Sequence, residues 1–386
     1  MTPQSANPPL LLRNARVYAP RPLGLRDLLM VEGRILAVDA SIEITGLPGL
    51  HEMDAQGAVV SPGLVDTLTH ITGGGGEGGY GSRMPAMPPE DAWLSGVTTV
   101  TGALGTDAVQ RSHTELLAHA RLLATAGVSA HIYAGNYHLP IRTLTGSVQT
   151  DLAWIPEVIG VGEVAIADHR GSHPSAAELA RLASEVRVGA MLGGKQGVLS
   201  IHVGDHDAGL NVLFEAAENY PVRLSHFYPT HINRTRDLLQ QGCRFAREGG
   251  TIDFTATTNA GLLAAGDVDS PLAVAEALAA GVPGDRITLS SDAYASLPEF
   301  DAEGRFLRVG MGRLDSLADA VQRGVRDVGL SFETLLRTVS LNPAETLGLP
   351  RKGRLEAGAD ADLVLWSEHH EVLGVISGGV VRRWPD

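Results

Sequence analysis

Between residues 61 and 79 the chain reads SPGLVDTLTHITGGGGEGG. An apolar run, Gly63-Leu64-Val65, ends in an acid and a histidine and then opens into four glycines and a glutamate. Such a stretch delivers His70 to the end of a strand, where an imidazole can hold a metal. Three more groups stand in like positions: His202 in GVLSIHVGD, His231 after PVRLSHFYPT and Asp292 in RITLSSDA, with Glu163 inside VGEVAIAD. Imidazoles and carboxylates converging on one mouth suit Zn2+ or a similar divalent ion. A lone histidine in a strand is more often a hydrogen-bonded core residue. Four such groups in order at strand ends are a stronger signal. One position breaks the pattern: two residues before His70, where a metal-binding strand would carry a second histidine, the chain has Leu68.

These side chains can meet only if parallel strands position them. Residues 61–346 alternate short apolar strands with amphipathic helical stretches such as TELLAHARLLATAG and SAAELARLASEVRVGAMLGG. Eight β/α repeats over this length imply an α/β fold, a TIM-like (β/α)8 barrel, with a doubly wound open sheet as the weaker alternative. In such a barrel the C-terminal ends of the strands form the active face. Residues 1–60 carry short β pieces, LLLRNARVYA, LLMVEGRILAVDA and GAVV, parted by turn residues. After a helix expected over SFETLLRTVSLNPAETLGL the chain turns β-like again through residues 347–386. The two ends are therefore expected to pair into a small β-rich domain beside the barrel.

The chain has 386 residues, enough for a large domain and a smaller one, and 44% of them are hydrophobic. A net charge of −14 makes nucleic acid and anionic membrane poor partners, so anions must be read by locally placed arginines. Lysine is nearly absent, with only Lys195 and Lys352. The single cysteine, Cys243, rules out an internal disulfide framework and is expected as a small buried apolar residue. The first residues have no basic segment of a signal peptide, and no apolar run reaches the length of a membrane span, so a cytoplasmic protein is expected.

The layout resembles the amidohydrolase superfamily, and within it the isoaspartyl (β-aspartyl) dipeptidases. The likeness runs over essentially the whole chain. Its marks are GGGGE at 73–77, LGTD at 104–107, YH at 137, TGSV at 145, ADHR at 167–170, THINR at 230–234, GGTID at 249–253 and LSSD at 289–292. The tail GRLEAGADADLVLW is common to the superfamily and carries no information on substrate. The resemblance implies a two-metal site holding one or two Zn2+ per chain. His70 and Asp292 would serve the first metal, His202 and His231 the second, and Glu163 would bridge them. Glu163 takes the place of a carboxylated lysine found in well-known members, because neither lysine falls at that position. Leu68 stands where the first imidazole of an H-x-H pair belongs, so the first metal is expected to bind weakly.

The resemblance also implies hydrolysis of a β-aspartyl dipeptide by metal-activated water. Glu77 would hold the free amino group, Gly75 and Thr106 the aspartyl α-carboxylate, and Arg170, Arg234 and Ser296 the remaining carboxylate. Asp292 would take the proton from the water and Tyr137 would donate to the developing oxyanion. A homo-oligomer is expected. Two rival readings stand beside this one: a related amidohydrolase acting on another amide or a cyclic amide, and a silent homologue that binds β-aspartyl compounds without turnover.

Overall fold

The computed structural model describes residues 7–76, 79–300 and 306–385. Five strands open the chain: β1 (Leu10–Tyr18), β2 (Pro22–Val31), β3 (Arg34–Asp39), β4 (His51–Asp54) and β5 (Val59–Pro62). A two-residue turn, Glu32-Gly33, joins β2 to β3 with both residues at positive φ, the backbone that matches the twist of a tight hairpin. β1 lies antiparallel to β2 and parallel to β4 and β5.

Eight parallel strands follow, each at a position where the sequence shows an apolar run: β6 (Leu64–Thr69), β7 (Val97–Gly102), β8 (Ser129–Ala134), β9 (Val158–Ile166), β10 (Val198–Val203), β11 (Phe227–Thr230), β12 (Ile252–Thr255) and β13 (Ile287–Ser290). Strands β6 to β11 form one continuous parallel ladder, and β12 pairs with β13 in a second. The six-stranded sheet is strongly curled. Tyr228 on β11 reaches across the concave side to Thr67 on β6 (3.0 Å), and Tyr133 on β8 donates to the Thr67 carbonyl (3.0 Å). Apolar side chains of that concave side, among them Val65, Leu68, Ile159 and Val198, form a cluster of their own. On the convex side the helices His113–Thr125 and Ala176–Gly193 bury Leu116, Leu123, Leu179 and Val186 against Val100, Ile132 and Val161. Strands such as β6, β7, β9 and β10 are buried along both faces because both faces are covered.

Side chains bridge the two seams that the ladders leave. Asp253 on β12 accepts from Tyr228 (3.1 Å) and Thr230 (2.7 Å) on β11, and from Thr288 (2.7 Å) and Ser290 (2.5 Å) on β13. Asp66 on β6 accepts from the Ser291 amide (3.0 Å) and hydroxyl just beyond β13. A single bridge, Thr69 with Ala293, completes that seam.

A hairpin not expected from the sequence, β14 (Ser296–Phe300) with β15 (Phe306–Met311), leaves the end of β13. The helix expected near residues 331–347 is two helices, Phe332–Val339 and Leu341–Leu347, broken at Ser340. Pro343 explains the break: within one continuous helix its ring would clash with the Val339 carbonyl, four residues back. The chain closes with β16 (Leu363–Trp366), β17 (Val372–Ser377) and β18 (Val380–Arg383). β16 runs antiparallel to β5, so both ends of the chain lie in one eight-stranded sheet around Leu12, Val17, Leu28, Val60, Leu363 and Ile376. No helix among the described residues is long and apolar enough to cross a membrane.

Candidate metal and substrate site

Glu163 owes its direction to a bulge. Opposite β10, residues Val161 to Val164 span the interval that Leu199 to Ile201 span, so β9 carries an extra residue at Gly162-Glu163. Gly162 has φ +149, and a Cβ there would lie 2.6 Å from the Ser200 Cβ, so only glycine lets β9 approach β10 this closely. The bulge turns the Glu163 carboxylate into the mouth, fully buried. Its Oε2 lies 3.3 Å from His202 Nδ1 and 3.3 Å from His231 Nε2. These three groups offer ligand atoms all within 4.8 Å of one another. On the other side of the carboxylate, Oε1 lies 3.7 Å from His70 Nε2, which is 3.2 Å from Asp292 Oδ1. The structure thus brings His70, Glu163, His202, His231 and Asp292 to one place, with Glu163 between the His202–His231 pair and the His70–Asp292 pair.

The electrostatics follow from who faces whom. Burial by itself would raise the Glu163 pKa, but the imidazoles of His202 and His231 beside Oε2 outweigh it and hold the carboxyl well below its usual range. Burial would lower His70, yet the Asp292 hydrogen bond and the charges of Asp292 and Glu163 raise it to about 9. Burial, then the Arg234 charge, lowers His231 to about 4, which favours a neutral imidazole with a free lone pair. Thr255 Oγ1, 2.6 Å from His231 Nδ1, fixes the ring so that Nε2 faces the cluster. Glu163 Oε1 is buried without a hydrogen-bond donor among the described residues. Two imidazole nitrogens and a carboxylate with a spare buried oxygen form a donor set that fits a divalent metal. Neither lysine competes for this role: Lys195 donates to the carbonyls of Leu152, Ile155 and Val158, and Lys352 pairs with Asp360 and Asp362.

Two of the five residues sit at a conformational cost. His231 has φ +63 and Asp292 φ +53, in the left-handed region that side chains with a Cβ avoid. Such residues cost about 1–3 kcal/mol each and persist where the surroundings hold them. Here the Asp292 amide donates to the Leu68 carbonyl (3.1 Å), and the Ala293 carbonyl accepts from the His70 amide (2.8 Å). Leu68 itself is 1% exposed and packs with Val65, Ala103 and Tyr133. An apolar wall stands where a second imidazole would be.

Gly75, Thr106, Tyr137, Arg170, Arg234 and Ser296 line one cavity of about 60 Å³ together with His70, His202 and Asp292. The Tyr137 hydroxyl lies 2.7 Å from His202 Nδ1. Burial and the Glu163 charge raise its pKa well above the usual value, which keeps its proton in place. Arg234 Nη1 donates to the Val203 carbonyl (2.8 Å) and lies 3.0 Å from His202 Nε2. Arg170 stands 5.5 Å over the Tyr137 ring and forks onto Asp168, through Nε to Oδ1 (3.0 Å) and Nη2 to Oδ2 (2.7 Å). Asp168 is a site residue that the sequence reading passed over. Its signal was present in ADHR, where an aspartate two residues before an arginine can accept from that arginine's backbone N–H. Glu77 lies outside the described residues.

A model of the amidohydrolase family matches residues 59–382. The chain belongs to that family and is a hydrolase. Within the family it resembles β-aspartyl dipeptidases. The structure of a β-aspartyl dipeptidase from Fervidobacterium islandicum AW-1, in complex with β-Asp-Leu, is 38% identical. The match covers 99% of this chain and 97% of that one, with a TM-score of 0.91. A second structure of a β-aspartyl dipeptidase from the same organism is 36% identical over 97% of each chain, with a TM-score of 0.88. By sequence, the chain is also similar to a dihydroorotase of Lactiplantibacillus plantarum, 25% identical over 94% of this chain and 89% of that one.

Proposed function

We propose that the protein hydrolyses the β-aspartyl peptide bond of dipeptides, using one or two zinc ions held by His70, Glu163, His202, His231 and Asp292. The observation that carries this reading is the shared cavity: two arginines and two hydroxyls face the same space as the imidazoles, Tyr137 and Asp292. A β-aspartyl dipeptide has two carboxylates and an ammonium around its amide. Guanidinium forks match carboxylates bidentately, so Arg170 and Arg234, with Ser296, take the leaving residue's carboxylate. Gly75 and Thr106 take the aspartyl α-carboxylate, and Glu77 is assigned the ammonium.

A divalent metal in this cluster supplies Lewis acidity to the scissile carbonyl and lowers the pKa of water. Asp292 receives the proton at Oδ1 and passes it to the leaving amine. Tyr137, kept protonated by its burial, donates to the oxygen that becomes anionic. Leu68 leaves the first metal position short of a ligand, and we read the enzyme as holding nearer one metal than two.

We also read β6 to β13 as a closed (β/α)8 barrel over residues 61–346, with residues 1–60 and 347–386 as its β-rich companion. Support comes from the side-chain hydrogen bonds across both seams and from the pairing of β5 with β16. A homo-oligomer fits the exposed Trp154, Met191 and Leu192, and a cytoplasmic location fits the lone buried Cys243.

The test is hydrolysis of β-Asp-Leu and α-Asp-Leu by protein of measured metal content. Cleavage of the β isomer alone is expected; equal rates on both would sink the proposal. The dihydroorotase relatives favour one second reading, opening of a cyclic amide, and dihydroorotate in the same assay decides between them.

A further inference from the structure

The Asp168 carboxylate has no part in the roles assigned above, yet it is 6% exposed and both its oxygens are engaged. Oδ1 accepts from the Arg170 amide (2.8 Å) and from Arg170 Nε (3.0 Å), and lies 3.7 Å from the exposed His169 ring. Oδ2 accepts from Arg170 Nη2 (2.7 Å) and His202 Nε2 (3.0 Å). The residue is wedged into place. A Cβ added at Gly204, just past β10, would lie 2.7 Å from the Asp168 Cβ, so the end of β10 gives way to it.

We propose that Asp168 is a positioning residue that ties the substrate-reading arginine to the metal-facing histidine. A carboxylate can only accept, so Asp168 Oδ2, 3.0 Å from His202 Nε2, draws the ring proton to Nε2. That leaves Nδ1, the nitrogen facing Glu163 Oε2, with its lone pair free for a metal. Arg234 Nη1 lies 3.0 Å from the same Nε2 and spends one of its two hydrogens on the Val203 carbonyl, so it competes with Asp168 for that nitrogen, and the Asp168 variants test which of the two sets the tautomer. On its other side the same carboxylate occupies Nε and Nη2 of Arg170 and so fixes the plane of the guanidinium. The arginine half of this inference rests on the proposed dipeptidase reading; the histidine half does not.

The alternative is a plain turn-forming aspartate at the end of β9, whose loss would lower stability and leave the site alone. Three variants of the full-length chain separate these: Asp168→Asn, Asp168→Ala and Asp168→Glu. Zinc affinity is measured by chelator competition, and the visible spectrum of Co2+-substituted protein reports ligand geometry. The isosteric Asp168→Asn is expected to weaken zinc binding ~10–100-fold, as for other outer partners of ligating imidazoles. It should also shift the Co2+ spectrum and raise KM for β-Asp-Leu more than it lowers kcat. Asp168→Glu, which restores the charge, is expected to recover part of the zinc affinity. Zinc affinity of Asp168→Asn within about threefold of the parent overturns the proposal, whatever happens to melting temperature, and so does weakened zinc with unchanged KM. If the parent itself cleaves no β-Asp-Leu, the dipeptidase reading fails, and the zinc and Co2+ measurements still decide the role of Asp168 at His202.

Discussion

Glu163 at the mouth and the Asp66–Asp253 pair at the seams are three fully buried carboxylates with opposite behaviour. Glu163 has two imidazole nitrogens 3.3 Å from Oε2, and its carboxyl is held well below its usual range. Among the described residues Asp253 accepts from four hydroxyls, and Asp66 from a hydroxyl and backbone amides. Burial dominates for both, raising Asp253 above its ordinary range and Asp66 to about 7. Burial is equal in the three; the donors are not. A neutral hydroxyl can satisfy a carboxylate's geometry without compensating its charge, whereas a group that can itself carry charge does both. The mouth keeps an anion waiting for a cation, and the seams use carboxyls as stitching.

The sharpest way to break this comparison is Glu163→Gln. Metal content and kcat/KM should each fall at least about 100-fold, since losing a ligand costs no less than losing an outer partner. The melting temperature of metal-free protein should change little by comparison. Retained zinc, measured by elemental analysis, would place the bridging group elsewhere. Asp253→Leu should do the reverse. Four hydroxyls would lose their acceptor, costing about 3 kcal/mol or more of stability by denaturant titration, while zinc per folded chain stays unchanged.

The third test is pH. Asp66 binds its proton more tightly in the folded chain, so its contribution is fully present below the unfolded carboxyl pKa and is lost as pH rises towards about 7. Comparing the parent with Asp66→Asn isolates it. Between about pH 4 and 7 the parent should lose stability relative to the variant, by no more than about 1.4 kcal/mol per pH unit. A parent that gains on the variant over that window would show Asp66 to be ionised.

The parallel strands were plain in the sequence because each is a short run with apolar residues between turn and helix signals, and runs such as VIGVGEVAI have few other uses. Four candidate ligands, His70, His202, His231 and Asp292, were legible from their places at strand ends; Glu163 lies inside β9 and was named as the bridge only through the family resemblance. What the chain did not reveal one residue at a time was pairing. The reach of Asp253 from β12 to β11, or of Asp168 to His202, depends on which strands are neighbours and how far each sheet curls. The β14–β15 hairpin was missed because its strands mix charged, glycine and proline residues and alternate poorly. Leu68 was read as an anomaly of ligation, and its packing with Ala103 and Tyr133 shows what the position does instead.

The smallest expected effect comes from that position. Leu68→His should raise bound metal towards two per chain and turnover by a few-fold, partly offset by placing an imidazole among apolar neighbours. If the parent already binds two metals tightly, the variant will add nothing.

The left-handed backbone at His231 and Asp292 has a consequence for how such a protein drifts. Glycine would sit at either position with less strain than the residues now there. Selection for thermal robustness alone therefore pushes both positions away from the metal site. Lineages that no longer need the hydrolase should lose Asp292 early, to glycine, and melt higher for having done so.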